Sequence, residues 1–235
     1  MKRLILFVLM SLMLTPVSLA QTDISCEEIE PTTDDLAYFV GLGNAYYQQG
    51  NYNQAIIVYS CALETDATYA PALVARGFSY AILGNQANAL EDYNQAIVLD
   101  ANLISAYLNR GILYTQQGRF GLALTDFDLV ISLEPDNAQA YNNRGVVYGA
   151  EGDYELAIAD FEMAISLDET YAMPYASLGV VYSALAVEQY AHYAELRGAG
   201  SRLPIGSADI AIESLTFERE AGTFNTWLAL QTANQ

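Results

Sequence analysis

The chain repeats itself at an interval of 34 residues. The stretch NNRGVVYGAEGDYELAIADF, residues 142–161, has a near-copy, LNRGILYTQQGRFGLALTDF, at residues 108–127. Laid out at this interval, four units align and a fifth begins at Ala172; the four are 36–69, 70–103, 104–137 and 138–171. Such a period is typical of stacked supersecondary units, each packed against its neighbours.

Each unit contains the spacing of two amphipathic helices. In the first, a glycine such as Gly43 follows an aromatic residue or leucine by four positions and precedes a tyrosine by three, which places all three on one face. In the second, an alanine precedes a tyrosine or phenylalanine by four positions, so that small residues leave room that bulky ones fill. A glycine between the helices is expected to end the first in a left-handed conformation. These turn glycines are Gly50, Gly84, Gly118 and Gly152.

Short polar turns such as LEPDNAQ, residues 133–139, join the units, and Asp136 or Asn137 is expected to cap the helix that follows. Over residues 36 to about 182, the whole pattern resembles the tetratricopeptide repeat family. The resemblance implies an all-α fold, a right-handed α-solenoid of stacked antiparallel helix pairs. It also implies that the first helices line a concave surface that binds peptides or partner proteins.

First-helix residues outside the buried stripe are expected to line this groove. They are uncharged, so a terminal carboxylate, which some relatives clamp there with lysine and arginine, is not the expected ligand. Asn44, Asn109 and Asn143 can bond a peptide backbone. Phe78, Leu108 and Ile112 can receive its apolar side chains. The candidates are Asn44, Tyr47, Phe78, Leu108, Asn109, Ile112, Gln116, Asn142, Asn143 and Val146. The groove could instead be covered by the C-terminal segment or by a second copy of the chain.

An arginine precedes the first-helix glycine in three units, and an aspartate precedes the second-helix aromatic in the same three. The first unit has Leu42 and Val58 at these positions. Because the two positions change together, they are expected to touch, and the charges are interpreted as structural ion pairs. The pairs are Arg76 with Asp92, Arg110 with Asp126, and Arg144 with Asp160.

The pattern breaks in the fifth unit, where Ala186 replaces the turn glycine. The helix is expected to continue to about Gly198, followed by a loop over 198–206 and an amphipathic helix over 207–220 that Ser207 caps. Residues 183–235 are therefore predicted to cap the array, with Trp227 as an anchor.

The N-terminus has the features of a signal peptide over residues 1–20. Lys2 and Arg3 precede an apolar run, and Ala20 offers a cleavage site. The run is shorter than the roughly 20 residues that span a bilayer, and Asp23 argues against lipid attachment at Cys26. The sequence thus predicts export, periplasmic or extracellular, with no membrane span after cleavage and a flexible acidic segment at 21–35.

Without residues 1–20, the chain has seven arginines, no lysine and 28 acidic residues, a formal charge of −21. This charge disfavours nucleic acid and anionic lipid as partners. Cys26 and Cys61 are expected to form one disulfide in an oxidising compartment, with two free thiols as the alternative.

Little in the sequence predicts catalysis. His192 is the one histidine, no glycine-rich phosphate loop or calcium loop is present, and no cofactor is expected. The leading hypothesis is a non-enzymatic interaction scaffold that holds a partner protein or peptide. A self-associating structural subunit is the second hypothesis, and a small-molecule binder or hydrolase that uses the loop near Pro204 is the third.

Overall fold

The structure, a computed structural model, describes Cys26 and residues 35–197. Within residues 35–197 the chain forms helices and no strands, which confirms the predicted all-α class. The helices are α1 (Asp35–Gln48), α2 (Tyr52–Thr65), α3 (Ala70–Ile82), α4 (Gln86–Leu99), α5 (Ile104–Gln116), α6 (Phe120–Leu133), α7 (Ala138–Glu151), α8 (Tyr154–Leu167) and α9 (Ala172–Arg197).

The helices stack in chain order. Each packs against the next, and the largest contacts join the members of the pairs α1–α2, α3–α4, α5–α6 and α7–α8. Each odd-numbered helix also contacts the next odd-numbered one, from α1 through α9. The first helices of the units therefore lie side by side and form one wall of an α-solenoid.

The turn glycines take the predicted left-handed conformation. Their φ angles lie between 70° and 90°, a region in which an L side chain is strained. Gly152, for example, is the C-cap of α7, and its amide donates back to the carbonyl of Tyr148. Each glycine thus ends a first helix and lets the chain turn directly into the second.

Within each pair, the second-helix aromatic ring lies over the first-helix glycine. A Cβ built on Gly111 would lie 2.6 Å from the Phe127 ring, and one on Gly43 would lie 2.5 Å from the Tyr59 ring. Because no side chain fits at such a distance, glycine is what allows the two helices to approach. The rings are at most 1% exposed; they belong to Tyr59, Tyr93, Phe127 and Phe161.

Asp136 and Asn137 were the two predicted caps for the start of α7. Of the two candidates, Asn137 is the N-cap: its Oδ1 accepts a hydrogen bond from the backbone N–H of Ala140 at 2.9 Å. This satisfies one of the backbone donors that a helix leaves unpaired at its start.

The structure brings Cys26 and Cys61 together in a disulfide, with 5.6 Å between their Cα atoms. Cys61 is buried in α2, so the bond joins a residue that precedes the array to the core of the first helix pair. The two cysteines are 35 residues apart in sequence.

At the other end, α9 continues through Ala186 to Arg197, which confirms the prediction of a longer helix in the fifth unit. Over residues 35–197, no helix is both long enough and apolar enough to cross a bilayer. The predicted signal peptide, the loop at 198–206, the helix at 207–220 and Trp227 lie outside the described residues.

Candidate peptide-binding groove

The wall of first helices is the candidate groove, and six of the ten predicted residues are accessible on it. Asn44 and Gln116 are exposed, while four others are partly buried: Tyr47, Phe78, Asn109 and Ile112. All six come from α1, α3 and α5. We call this set the open wall.

The other four predicted residues are buried, and here the prediction is corrected. Leu108 is 7% exposed, Asn142 0%, Asn143 6% and Val146 4%. Val146 shares a hydrophobic cluster with Val181 of α9, and Leu108 shares one with residues of α7. Side chains on this side of a first helix thus pack against the neighbouring first helix instead of lining an open surface.

The two buried asparagines bond mainly to each other. Asn142 Nδ2 donates to Asn143 Oδ1 at 3.3 Å. Their remaining buried atoms, Asn142 Oδ1 and Asn143 Nδ2, have no hydrogen-bond partner within the part of the chain that the structure describes. Asn143 was predicted to bond a peptide backbone and Asn142 to line the groove, but both side chains are buried.

An aromatic cluster forms the start of the open wall. The ring of Tyr47 lies 5.7 Å from that of Phe78 on α3 and 5.5 Å from that of Tyr52, between ring centroids. Behind it, the Tyr59 hydroxyl donates to Asn44 Oδ1 at 2.7 Å. Burial, with the nearby Tyr47, raises the pKa of Tyr59 to about 12, so this hydroxyl remains a donor at neutral pH. Asn44, an exposed residue, is therefore held in place through its Oδ1 atom.

The structure brings together all three predicted ion pairs. In each, arginine Nε and Nη2 donate to the two carboxylate oxygens of the aspartate 16 residues later, at 2.7–2.9 Å. The aspartate side chains are only 4%, 3% and 8% exposed. The pairs are Arg76–Asp92, Arg110–Asp126 and Arg144–Asp160.

Each arginine also has a second partner, which the sequence analysis missed. Its Nη1 donates to the side chain 16 residues earlier, on the second helix of the preceding unit. A signal was present, because a polar side chain stands 16 residues before each arginine. The second partners are Ser60 at 3.1 Å, Asn94 at 2.7 Å and Asp128 at 2.7 Å. We call the three arginines with their partners the arginine ladder.

The charged groups of the arginine ladder interact with one another and with neighbouring side chains of the array. Burial raises the pKa of Asp92 and Asp126, because it disfavours a charged carboxylate, and the bonded arginine opposes this. Hydrogen bonding to these aspartates raises the pKa of Arg76 and Arg110 in turn. The guanidinium of Arg110 also lies 5.4 Å from the Tyr107 ring centroid. The guanidinium groups are thus held charged by neighbours within the array, which leaves them poorly placed to grip an acidic ligand.

The remaining chemistry-bearing residue is His192, whose side chain is 67% exposed on α9. Its Nδ1 lies 3.9 Å from Glu195 Oε2, beyond the range of a hydrogen bond. In the described part of the chain, no three histidine, cysteine or acidic side chains converge as metal ligands would.

Family models match this array. The model described as "Tetratricopeptide repeat" matches residues 138–171, and the model described as "TPR repeat" matches residues 43–84, 79–118 and 113–152. Together the matches cover residues 43–171, more than half of the chain. The chain therefore belongs to the tetratricopeptide repeat family.

Solved structures share the fold. A crystal structure of MamA is 24% identical with a TM-score of 0.57, over 69% of this chain and 88% of its own. PilF of Pseudomonas aeruginosa is 21% identical with a TM-score of 0.61, over 84% of this chain and 90% of its own. MamA 41-end from Desulfovibrio magneticus RS-1 is 17% identical with a TM-score of 0.58, over 80% and 97%. These likenesses establish the solenoid fold alone. Among curated proteins, none matches the chain at a significant level.

Proposed function

We propose that the chain is a non-enzymatic scaffold that binds an extended segment of a partner protein along the open wall. The observation that carries the proposal is the composition of that wall: its accessible side chains are apolar or neutral, and they follow one another across the first helices of three successive units. Stacked repeats offer such continuous surfaces to extended ligands.

The wall favours a neutral or basic segment with apolar side chains. The aromatic cluster of Tyr47, Tyr52 and Phe78 can receive an apolar side chain, and Ile112 can receive the next. Asn109, Gln116 and Asn44 can bond the peptide backbone, Asn44 through its Nδ2 group, because Tyr59 already bonds its Oδ1 atom. No cation stands on the open wall, and the formal charge of the whole chain is −19, so an acidic segment would be repelled.

Selection of displayed peptides on the immobilised protein, residues 21–235, tests the proposal. We expect the selected peptides to be rich in aliphatic or aromatic residues and poor in acidic ones. Phe78→Ala and Asn109→Ala should each weaken their binding about 10-fold or more, the size of a hot-spot loss. The matched control is Val98→Ala, because Val98 is 84% exposed on α4, a second helix. Equal losses in all three variants, or none in any, would contradict the proposal.

The binding is proposed to take place outside the cytoplasm, after removal of residues 1–20. The signal-like N-terminus supports this, as does the position of Cys26 against Cys61. Mass spectrometry of the protein from its own cells should find Gln21 as the first residue. A chain that retains Lys2 and Arg3 would refute export by cleavage.

A further inference from the structure

The outer surface of α8, the second helix of the fourth unit, carries an apolar stripe. Leu156 is 51% exposed, Met163 43% and Leu167 37%. They follow one another by seven and four residues, which places them on one side of the helix over a length of about 16 Å. In α4, the second helix of the second unit, Asn88 and Gln95 stand at the registers of Leu156 and Met163. The repeat fold therefore does not require apolar residues at these two registers.

This stripe faces α6 across a groove whose floor is an arginine of the ladder. The guanidinium of Arg144 donates to Asp128 on α6 at 2.7 Å and to Asp160 on α8 at 2.8 Å, so the two helices face each other across it. Leu156 precedes Asp160 by four residues and Met163 follows it by three, so both share its side of α8.

The side of α6 that faces this stripe carries small residues. Gly121 and Thr125 precede Asp128 by seven and three residues, and Ser132 follows it by four, so all three share its side of α6. All three are exposed, and a Cβ added to Gly121 would meet no atom within 4 Å. We call this space the outer groove. It is lined by Gly121, Thr125, Ser132, Leu156, Met163 and Leu167.

The surroundings of the outer groove are acidic. Glu155 and Glu162, next in sequence to Leu156 and Met163, are both exposed. From residue 120 to residue 171 the one basic residue is Arg144, and its guanidinium is already bonded to two aspartates. The negative charge around the groove is thus left unbalanced, which favours a cationic partner.

We propose that the outer groove is a second docking surface, separate from the open wall, and that it binds an amphipathic helix of a basic partner protein. A helix suits the groove because its apolar side chains recur at three, four and seven residues and can pack between those of α8. The small residues of α6 let it approach closely. Lysine or arginine beside its apolar stripe would pair with Glu155 and Glu162. A second copy of this chain would bring the same acidic surface and be repelled.

A synthetic helix tests the proposal on the chain of residues 21–235. The probe is a 14-residue peptide, the length of α8, with leucine at helical spacing, lysine elsewhere and a covalent link between two side chains that keeps it helical. Fluorescence anisotropy should show binding that weakens as salt is added. Leu156→Ser with Met163→Ser should weaken it about 10-fold or more. Val98→Ser, at an exposed apolar residue of α4, is the matched control and should not change it.

A substitution on the opposite wall of the groove separates binding from folding. Gly121→Leu should fill the groove and weaken the binding of the same probe about 10-fold or more. It should leave the urea midpoint of unfolding unchanged or raise it, because leucine favours a helix more than glycine does. Gly41→Leu, at an exposed glycine of α1 that also has nothing within 4 Å of an added Cβ, should act on the midpoint in the same way and leave binding unchanged.

Other occupants of the groove would give other results. If Phe78→Ala abolishes probe binding and the two serines do not, the probe lies on the open wall; this overturns the second surface and leaves the proposed function standing. A fall in the urea midpoint with the two serines would show that this chain itself covers the groove. Loss of a dimer with the two serines, measured by sedimentation, would show that a second copy covers it. Either result overturns the proposal, as does equal binding of a probe that carries glutamate in place of lysine.

Discussion

The first helix pair and the three that follow it make the same contact with different chemistry. In the first pair, Leu42 packs against a cluster that contains Val58, and a disulfide to Cys61 adds a covalent link. In the next three pairs, an arginine and an aspartate take these two positions. The overall geometry is the same, since a glycine lies beneath an aromatic ring in all four.

This difference indicates which neighbouring groups an arginine of the ladder requires. Each arginine bonds an aspartate of its own unit and also a polar side chain of the preceding unit. No helix precedes α1 among the described residues, so an arginine in place of Leu42 would lack its second partner. At the other end, Leu178 again stands where the interior units have arginine. The charged contact is therefore found in the second, third and fourth units, and leucine stands in place of the arginine in the first and fifth.

The largest expected effect is the removal of one carboxylate from the ladder. Asp126→Ala leaves the guanidinium of Arg110 partly buried without its counter-charge, which should cost about 3–5 kcal/mol of unfolding free energy. Urea unfolding followed by circular dichroism measures the loss. A loss below about 1 kcal/mol would mean that the pair behaves as a surface salt bridge.

In the first pair, the matching experiment removes the disulfide. Cys26→Ser should lower the unfolding free energy by about 2–4 kcal/mol, because the unfolded chain loses the constraint of a closed loop of about 35 residues. The wild-type protein with a reductant, unfolded under the same conditions, is the control and should show a loss of the same size. Identical stability with and without reductant would show that no disulfide forms.

Replacing the charged residues of one pair with the apolar residues of the first pair tests whether the two contacts are equivalent. Arg110→Leu with Asp126→Val gives the third pair the residues of the first, and should leave stability within about 1–2 kcal/mol of the wild type. Each single substitution should cost more than the double one, and a double-mutant cycle measures the coupling. Additive costs would mean that the two positions do not act as a pair.

A smaller effect is expected from the link between units. Asn94→Ala removes the second partner of Arg110 but leaves the aspartate contact. This loss should cost roughly 0.5–1 kcal/mol of unfolding free energy, the size of a hydrogen bond at an exposed site. Gln95→Ala, next to it and exposed, is the control and should change little. If Asn94→Ala costs no more than this control, the ladder does not connect units.

The smallest effect concerns a feature that the two regions share. Asp66 after α2 and Asp168 after α8 each accept hydrogen bonds from a threonine, which lowers the pKa of both carboxyls. A carboxyl with a lowered folded pKa contributes stability above its unfolded pKa of about 3.9, which is lost as the pH falls through the folded value. Asp66→Asn and Asp168→Asn should therefore give equally small losses at pH 7 that vanish in acid, as measured by thermal unfolding against pH. Unequal losses would show that the two turns are not equivalent.

Much of the fold could be predicted because it is periodic. The glycines at both turn and contact positions recur at 34 residues, and the exchange of Leu42 and Val58 for arginine and aspartate within one chain indicated which positions touch. The residues that line the groove were harder to predict. Counting around a single helix does not tell how closely the next first helix approaches, and that approach buries Asn142 and Val146. The partners of an arginine in the preceding unit were missed for the same reason.

Hydrogen exchange with a selected peptide bound is the most direct test of the central claim, that the open wall is the binding surface. Added peptide should slow amide exchange in α1, α3 and α5 and leave α4 and α6 unchanged, because the open wall lies on first helices and the one second-helix residue in its aromatic cluster is Tyr52, at the start of α2. Protection confined to second helices, or to α7 and α9, would contradict the account.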